Sequence, residues 1–145
     1  MNNDKMVGTA LIIGVIFIVF DMLVAIITNP IFSGHSDLPI WKDPPNIIAG
    51  ILFDLINGFI LVIVYKTIYD GIPGLNWRKG LNYGIIVGLF RVVMMAFSTF
   101  VMYDIPLELI ITSLVAGYIE IVLLCIILAT IADCPRRIVE ESYEG

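Results

Sequence analysis

An all-α membrane protein, a bundle of four transmembrane helices with both termini in the cytoplasm, is the fold this sequence predicts. Three observations predict it. Four long apolar runs divide the 145 residues, and 59% of the chain is hydrophobic, above the 45–50% or so of soluble domains. Each run is long enough to cross about 30 Å of hydrocarbon at 1.5 Å per residue. Lysine and arginine are placed unevenly around the runs, which sets orientation. The whole chain reads as a single transmembrane domain.

Span one is expected over residues 7–28, closed by Asn29-Pro30. It is too long for the apolar core of a signal peptide, carries Asp21 and lacks a small-residue cleavage site, so it reads as a retained span. Loop one then holds Ser33-Gly34-His35-Ser36-Asp37 and Lys42-Asp43-Pro44-Pro45. Span two is expected over residues 46–69, closed by Asp70-Gly71-Ile72-Pro73-Gly74. Trp77, Arg78 and Lys79 lead into span three, residues 80–103. Asp104-Ile105-Pro106 is a very short third loop, and proline is tolerated at a helix start. Span four is expected over residues 106–132, stopped by Asp133-Cys134-Pro135 before a polar tail, residues 133–145.

Lys5, Lys66, Arg78, Lys79, Arg136 and Arg137 fall on one side of the membrane and only Lys42 on the other. The positive-inside rule then places the first group in the cytoplasm. Trp41, Trp77, Tyr69 and Tyr103 lie near span ends, where amphipathic rings settle.

One ionisable side chain lies deep in each run: Asp21, Asp54, Arg91 and Glu120. A charge in hydrocarbon costs a few kcal/mol or more, so such residues turn inward, pair, or line a water-filled cavity. Asp21 and Asp54 are both about eight residues from the same span ends, about 12 Å deep. Arg91 and Glu120 fall near the midplane, and the long Arg91 stem can reach toward the aspartates.

Helical spacing groups small residues with these charges. Gly50, Asp54, Asn57, Gly58, Leu61 and Tyr65 form one stripe of span two. Gly80, Gly84 and Gly88 form two G-x-x-x-G steps on span three, continued by Arg91, Met95 and Ser98. Ser113, Ala116, Gly117 and Glu120 share a side of span four. Small residues let helices approach closely in lipid. The polar residues are therefore expected to face other helices, with Asp54 and Arg91 at salt-bridge or single-water distance. The glycine stripe of span three is also expected to exceed what one bundle uses, which suggests a homodimer. Glu108 lies in the first turn of span four, where a carboxylate complements the helix N-terminus.

The cluster has two readings. As an internal network it would fix helix packing, and the protein would be a non-catalytic scaffold or accessory subunit. As a site for protons or small cations, with Asp21, Asp54, Asn57, Arg91 and Glu120 as its members, it would make the protein a small-ion or proton-coupled transporter or conduit. Three acids facing one base favour a specific role.

Other chemistries lack their residues. The net charge of −5 comes largely from carboxylates in spans and tail, and no basic patch suits nucleic acid. His35 is the single histidine, and with Asp37 and Asp43 it makes a weak metal signal; no metal or cofactor is expected. Cys125 and Cys134 are about 13.5 Å apart along a helix, too far for a disulfide. G-x-S-x-G, H-E-x-x-H, P-loop and dinucleotide motifs are absent. A catalytic dyad of Asp21 and Asp54 has no supporting motif, so no enzymatic activity is expected. Thr67-Ile68-Tyr69-Asp70 and Thr130-Ile131-Ala132-Asp133 echo each other, which raises the possibility of a duplicated hairpin.

The Gly71-Ile72-Pro73-Gly74 turn, the run Lys79-Gly80-Leu81-Asn82-Tyr83-Gly84, the Pro106 loop and Gly117-Tyr118-Ile119-Glu120 cover about half the chain. In these features it resembles uncharacterised small four-span membrane proteins of bacteria and archaea. That resemblance implies a multi-pass protein of a prokaryotic cytoplasmic membrane and no particular activity.

Overall fold

The computed structural model describes residues 3–35, 46–102 and 105–143. Among these there are four long α-helices and no strand: α1 (Asn3–Ser33), α2 (Ile47–Ile68), α3 (Trp77–Met102) and α4 (Leu107–Tyr143), with a 3-10 turn at Tyr69–Gly71. All four are long and apolar enough to cross a membrane, over Lys5–Ser33, Ile47–Gly71, Trp77–Val101 and Leu107–Asp133. The protein is thus a multi-pass transmembrane bundle. In hydrocarbon every backbone N–H and C=O must be satisfied within the chain, which is why the apolar runs are helical throughout.

Two boundaries differ from expectation, the first for this same reason. Asn29-Pro30 does not end α1, which continues to Ser33 with Pro30 inside it. Proline costs the helix one N–H bond, to the carbonyl four residues back. Unwinding the apolar Ile31-Phe32 in lipid would expose more. Nearby hydroxyls also bond back to the helix, from Thr28 Oγ to the Val24 carbonyl (2.8 Å) and from Ser33 Oγ to the Pro30 carbonyl (3.2 Å). Likewise α4 runs through Asp133-Cys134-Pro135 to Tyr143. The Asp133 side chain is engaged elsewhere, as described below, and does not turn back to end its own helix.

The other boundaries follow local chemistry. Asn46 caps α2, its side chain accepting the Ala49 N–H at 3.1 Å. Between α2 and α3 the chain needs left-handed backbone at Gly74 (φ 99°) and Asn76 (φ 52°). A Cβ on Gly74 would also lie 3.2 Å from the Lys79 nitrogen, so glycine is required there twice over. The helix α4 starts on Pro106, whose carbonyl accepts the Leu109 N–H at 3.0 Å.

The helices pair as two hairpins, α1 with α2 and α3 with α4, joined mainly by α1 against α4. Glycines set both hairpins. A Cβ on Gly58 would sit 2.7 Å from the Gly14 Cα, so α1 and α2 cross backbone to backbone. On α3, a Cβ at Gly80 would meet the Cys125 carbonyl at 2.5 Å, at Gly84 the Val122 Cα at 2.9 Å, and at Gly88 the Tyr118 ring at 2.8 Å. Thus α4 covers the whole α3 stripe that was expected to leave a surplus for a second copy. Gly50 takes no part in packing: it is exposed, with nothing within 4 Å of its Cβ position.

Packing divides the bundle across its length. One end carries the start of α1, the end of α2 and the start of α3; Lys66 Nζ there reaches Met6 Sδ at 3.7 Å. We call it the basic end, since Lys5, Lys66, Arg78 and Lys79 gather on it. The half next to it is closed by Ile13, Phe17, Val62, Tyr65, Tyr83, Leu124, Cys125 and Leu128, all buried. The far half is open. Among described side chains, none is buried in α1 after Phe17, in α2 before Asp54 or in α3 after Gly88. In α4 before Glu120 only Leu109 and Ile110 are.

Candidate functional site

The four intramembrane charges gather where the closed half gives way to the open one. Asp21 stands one turn beyond Phe17, on the stripe of Ala10, Ile13 and Gly14 that α1 turns inward. It is nevertheless exposed, because the bundle has opened at its level. Asp54 stands one turn from Gly58 on the inward stripe of α2 and is buried, at 9% exposure. Glu120 stands one turn from Leu124 on α4 and is buried more deeply, at 4%. Arg91 follows Gly88 on α3 and is half-buried, as is Asn57, three residues beyond Asp54.

These side chains form one electrostatic group. Asp21, Arg91 and Asp54 all act on Glu120 through space, and Asp21 and Arg91 act on Asp54. The Arg91 guanidinium does not close onto a carboxylate: among the described residues no acid lies within 4 Å of it. Of the two separations expected between Arg91 and Asp54, salt-bridge or single-water distance, the direct salt bridge is not made among the described residues. Local shape explains this. The guanidinium carbon lies 3.9 Å from where a Gly117 Cβ would be, in the space that the missing side chain leaves on α4. It also lies 5.8 Å from the centroid of the Phe17 ring, within cation–π range.

One polar atom in the group has no partner. Glu120 Oε1 is buried and accepts no hydrogen bond. Buried polar atoms are nearly always satisfied, and an orphan calls for an explanation. The acids thus form a graded series: Asp21 at the mouth, Asp54 at the edge and Glu120 at the base.

A second polar network, missed in the sequence, seals the basic end. Tyr69 donates its hydroxyl to Asp133 Oδ1 at 2.7 Å, and the Asn76 N–H donates to Asp133 Oδ2 at 3.2 Å. Asp133 is buried; it ties the end of α2 and the start of α3 to α4. Buried Lys79 sets its ammonium 3.3 Å from the centroid of the Tyr69 ring. Tyr65 packs edge-on to Tyr69 at 5.5 Å and against Tyr83 at 5.2 Å, and Tyr83 donates to the Leu61 carbonyl at 2.9 Å. Its sequence signal was spacing: Tyr69 extends the stripe of Asp54, Leu61 and Tyr65, and Lys79 precedes Tyr83 by one turn. Asp70, the counterpart of Asp133 in the sequence echo, is exposed.

The weak loop-one metal signal falls partly outside the described residues, at Asp37 and Asp43. Among the described residues no group of three metal-binding side chains converges. His35 is held locally, with Nδ1 3.1 Å from the Ile31 carbonyl. Trp41, Tyr103, Arg136, Arg137 and the tail glutamates also lie where side-chain surroundings are not described. Beyond the far side of the cluster, Phe32, Met95, Leu109, Ile110, Ser113 and Leu114 help to line a groove of about 200 Å³. No family model, curated protein or solved structure matches this chain.

Proposed function

We propose that this protein is a small-ion or proton-coupled transporter or conduit, with Glu120, Asp54 and Asp21 as its proton or cation sites. The orphan oxygen of Glu120, buried at the base of the open half, carries this reading. Intramembrane acids that face a bundle interior mark ion and proton pathways. A group that existed only to lock the helices would pair its charges, since an unpaired buried charge destabilises the fold it sits in. Here the one base stands apart from all three acids. In this scheme Arg91 moderates the negative charge of the group without quenching it. The basic end faces the cytoplasm, of a prokaryotic cell, and the open half faces outward. The Tyr65–Tyr83 and Tyr69–Asp133 contacts are the barrier that has to part for release. A homodimer, in this scheme, is built on a face other than the α3 glycine stripe.

Flux of protons and monovalent cations in proteoliposomes tests the proposal. The expected result is flux that falls sharply in Asp54→Asn and is abolished in Glu120→Gln. Flux that is absent, or unchanged by both substitutions, overturns it in favour of a scaffold whose charges fix packing. Cysteine labelling at positions 37 and 140 tests the orientation; position 37 reacting only from the cytoplasmic side would reverse it.

A further inference from the structure

The charge group and the apolar groove are neighbours. Met95 in the groove is four residues from Arg91, and Ser113 is four from Gly117, which the guanidinium approaches. Each step is one helical turn, about 6 Å. The groove is apolar apart from a few hydroxyls, and Ser113 Oγ already donates to the Leu109 carbonyl at 2.8 Å. An occupant of the groove therefore has an apolar body. The charge group specifies the other end. Its acids outnumber its base three to one, exposed Asp21 brings negative charge to the mouth, and Glu120 Oε1 is an acceptor lacking a donor. An N–H-bearing cation supplies both charge and donor.

Resting on the transport reading above, we infer that the cargo is an alkylammonium: a primary or secondary amine, protonated, with an aliphatic tail. The tail lies along Met95, Leu109, Ile110 and Leu114, and the ammonium reaches past Gly117 to Glu120. Arg91 occupies the approach when the site is empty, resting on the Phe17 ring, and its long stem lets it yield. The arriving ammonium thus passes the place beside Gly117 that the guanidinium holds and makes the contact to Glu120 that Arg91 does not make.

Binding to the protein in nanodiscs, corrected for empty discs, tests this with two probes of equal tail, octylammonium and octanesulfonate. The expected result is saturable binding of octylammonium alone. It weakens by about tenfold or more in Glu120→Gln, as loss of a hydrogen bond to a charged group predicts, and by a similar factor in Met95→Trp, which fills the groove without touching a charge. Helicity by circular dichroism confirms that each variant folds. Octanesulfonate binding as tightly, and being lost in Arg91→Gln, would overturn the inference in favour of an anionic amphiphile. No saturable binding of either probe would also overturn it. Glu120-dependent proton or cation flux measured alongside separates the two failures: flux without octylammonium binding removes the cargo and leaves the transporter, whereas absence of flux removes the transport reading itself.

Discussion

The two halves of this bundle are built from the same residue types and behave differently. In the half next to the basic end, α3 lies against α4 through Gly80 and Gly84 and α1 crosses α2 at Gly14 and Gly58, with backbones in contact. In the far half the inward stripes continue, through Asp21, Gly50 and Met95, but each of these is exposed among the described residues. Hydrophobicity cannot account for the contrast, since lipid tails are as apolar as leucine and helices associate in membranes by packing and hydrogen bonds. What differs is the supply of glycine-to-backbone contacts and of cross-helix hydrogen bonds. Among the described residues both are concentrated at the basic end, and the other half packs less closely around Asp21.

The sharpest way to break this comparison is chemical access. In a Cys134→Ser background, an Asp21→Cys variant should react readily with a membrane-impermeant thiol reagent, while native Cys125, fully buried, should not react in the folded protein. Equal reactivity would mean that the halves are alike. Next in size is a steric test. Gly80→Leu forces atoms onto the α4 backbone and should cost about 3 kcal/mol or more, read as a lower unfolding midpoint in detergent; an unchanged midpoint would show that α3 and α4 are not held by close approach. Asp133→Ala should cost about 2 kcal/mol, because it removes the buried acceptor that holds the Tyr69 hydroxyl and the Asn76 N–H. Asp70→Ala, at the exposed counterpart, should stay within about 0.5 kcal/mol of the native protein. Glu120→Gln should change stability by less than about 1 kcal/mol or raise it, since Glu120 Oε1 has no partner to lose and the amide carries no charge. A large destabilisation there would identify Glu120 as a packing residue. Smallest, Gly50→Ala should stabilise by about 0.5–1 kcal/mol through helix propensity alone; a loss instead would reveal a contact at the open face.

The sequence made the four spans legible because lipid leaves an apolar run one option, the helix. The inward face of Asp54 and Glu120 was legible too, from their spacing to Gly58 and Gly117. Asp21 shows where such reasoning stops. Periodicity assigns it to the inward face, and it lies there, but periodicity cannot tell at what height neighbouring helices part. Pro30 and Pro135 were read as stops because proline breaks helices in water, where an unwound turn can bond to solvent. Asp133 was invisible as a tether since its partners, Tyr69 and Asn76, lie 64 and 57 residues away in sequence. The direction taken by the Arg91 side chain depended on a gap beside Gly117, a property of two helices together and of neither alone.

The uninterrupted length of α4 gives the protein a drive shaft. Glu120 and Asp133 ride on the same rod, about 20 Å apart at 1.5 Å per residue, so neither can turn without the other. Swinging Glu120 away from the open half means rotating the shaft, and rotation pulls Asp133 off Tyr69 and Asn76. Those two hydrogen bonds therefore act as a detent, holding one angular setting of α4 until enough torque is applied. The same shaft continues beyond Asp133 to Tyr143. A force on that extension would reach Glu120 along the one helix, through Pro135, where the rod lacks a hydrogen bond.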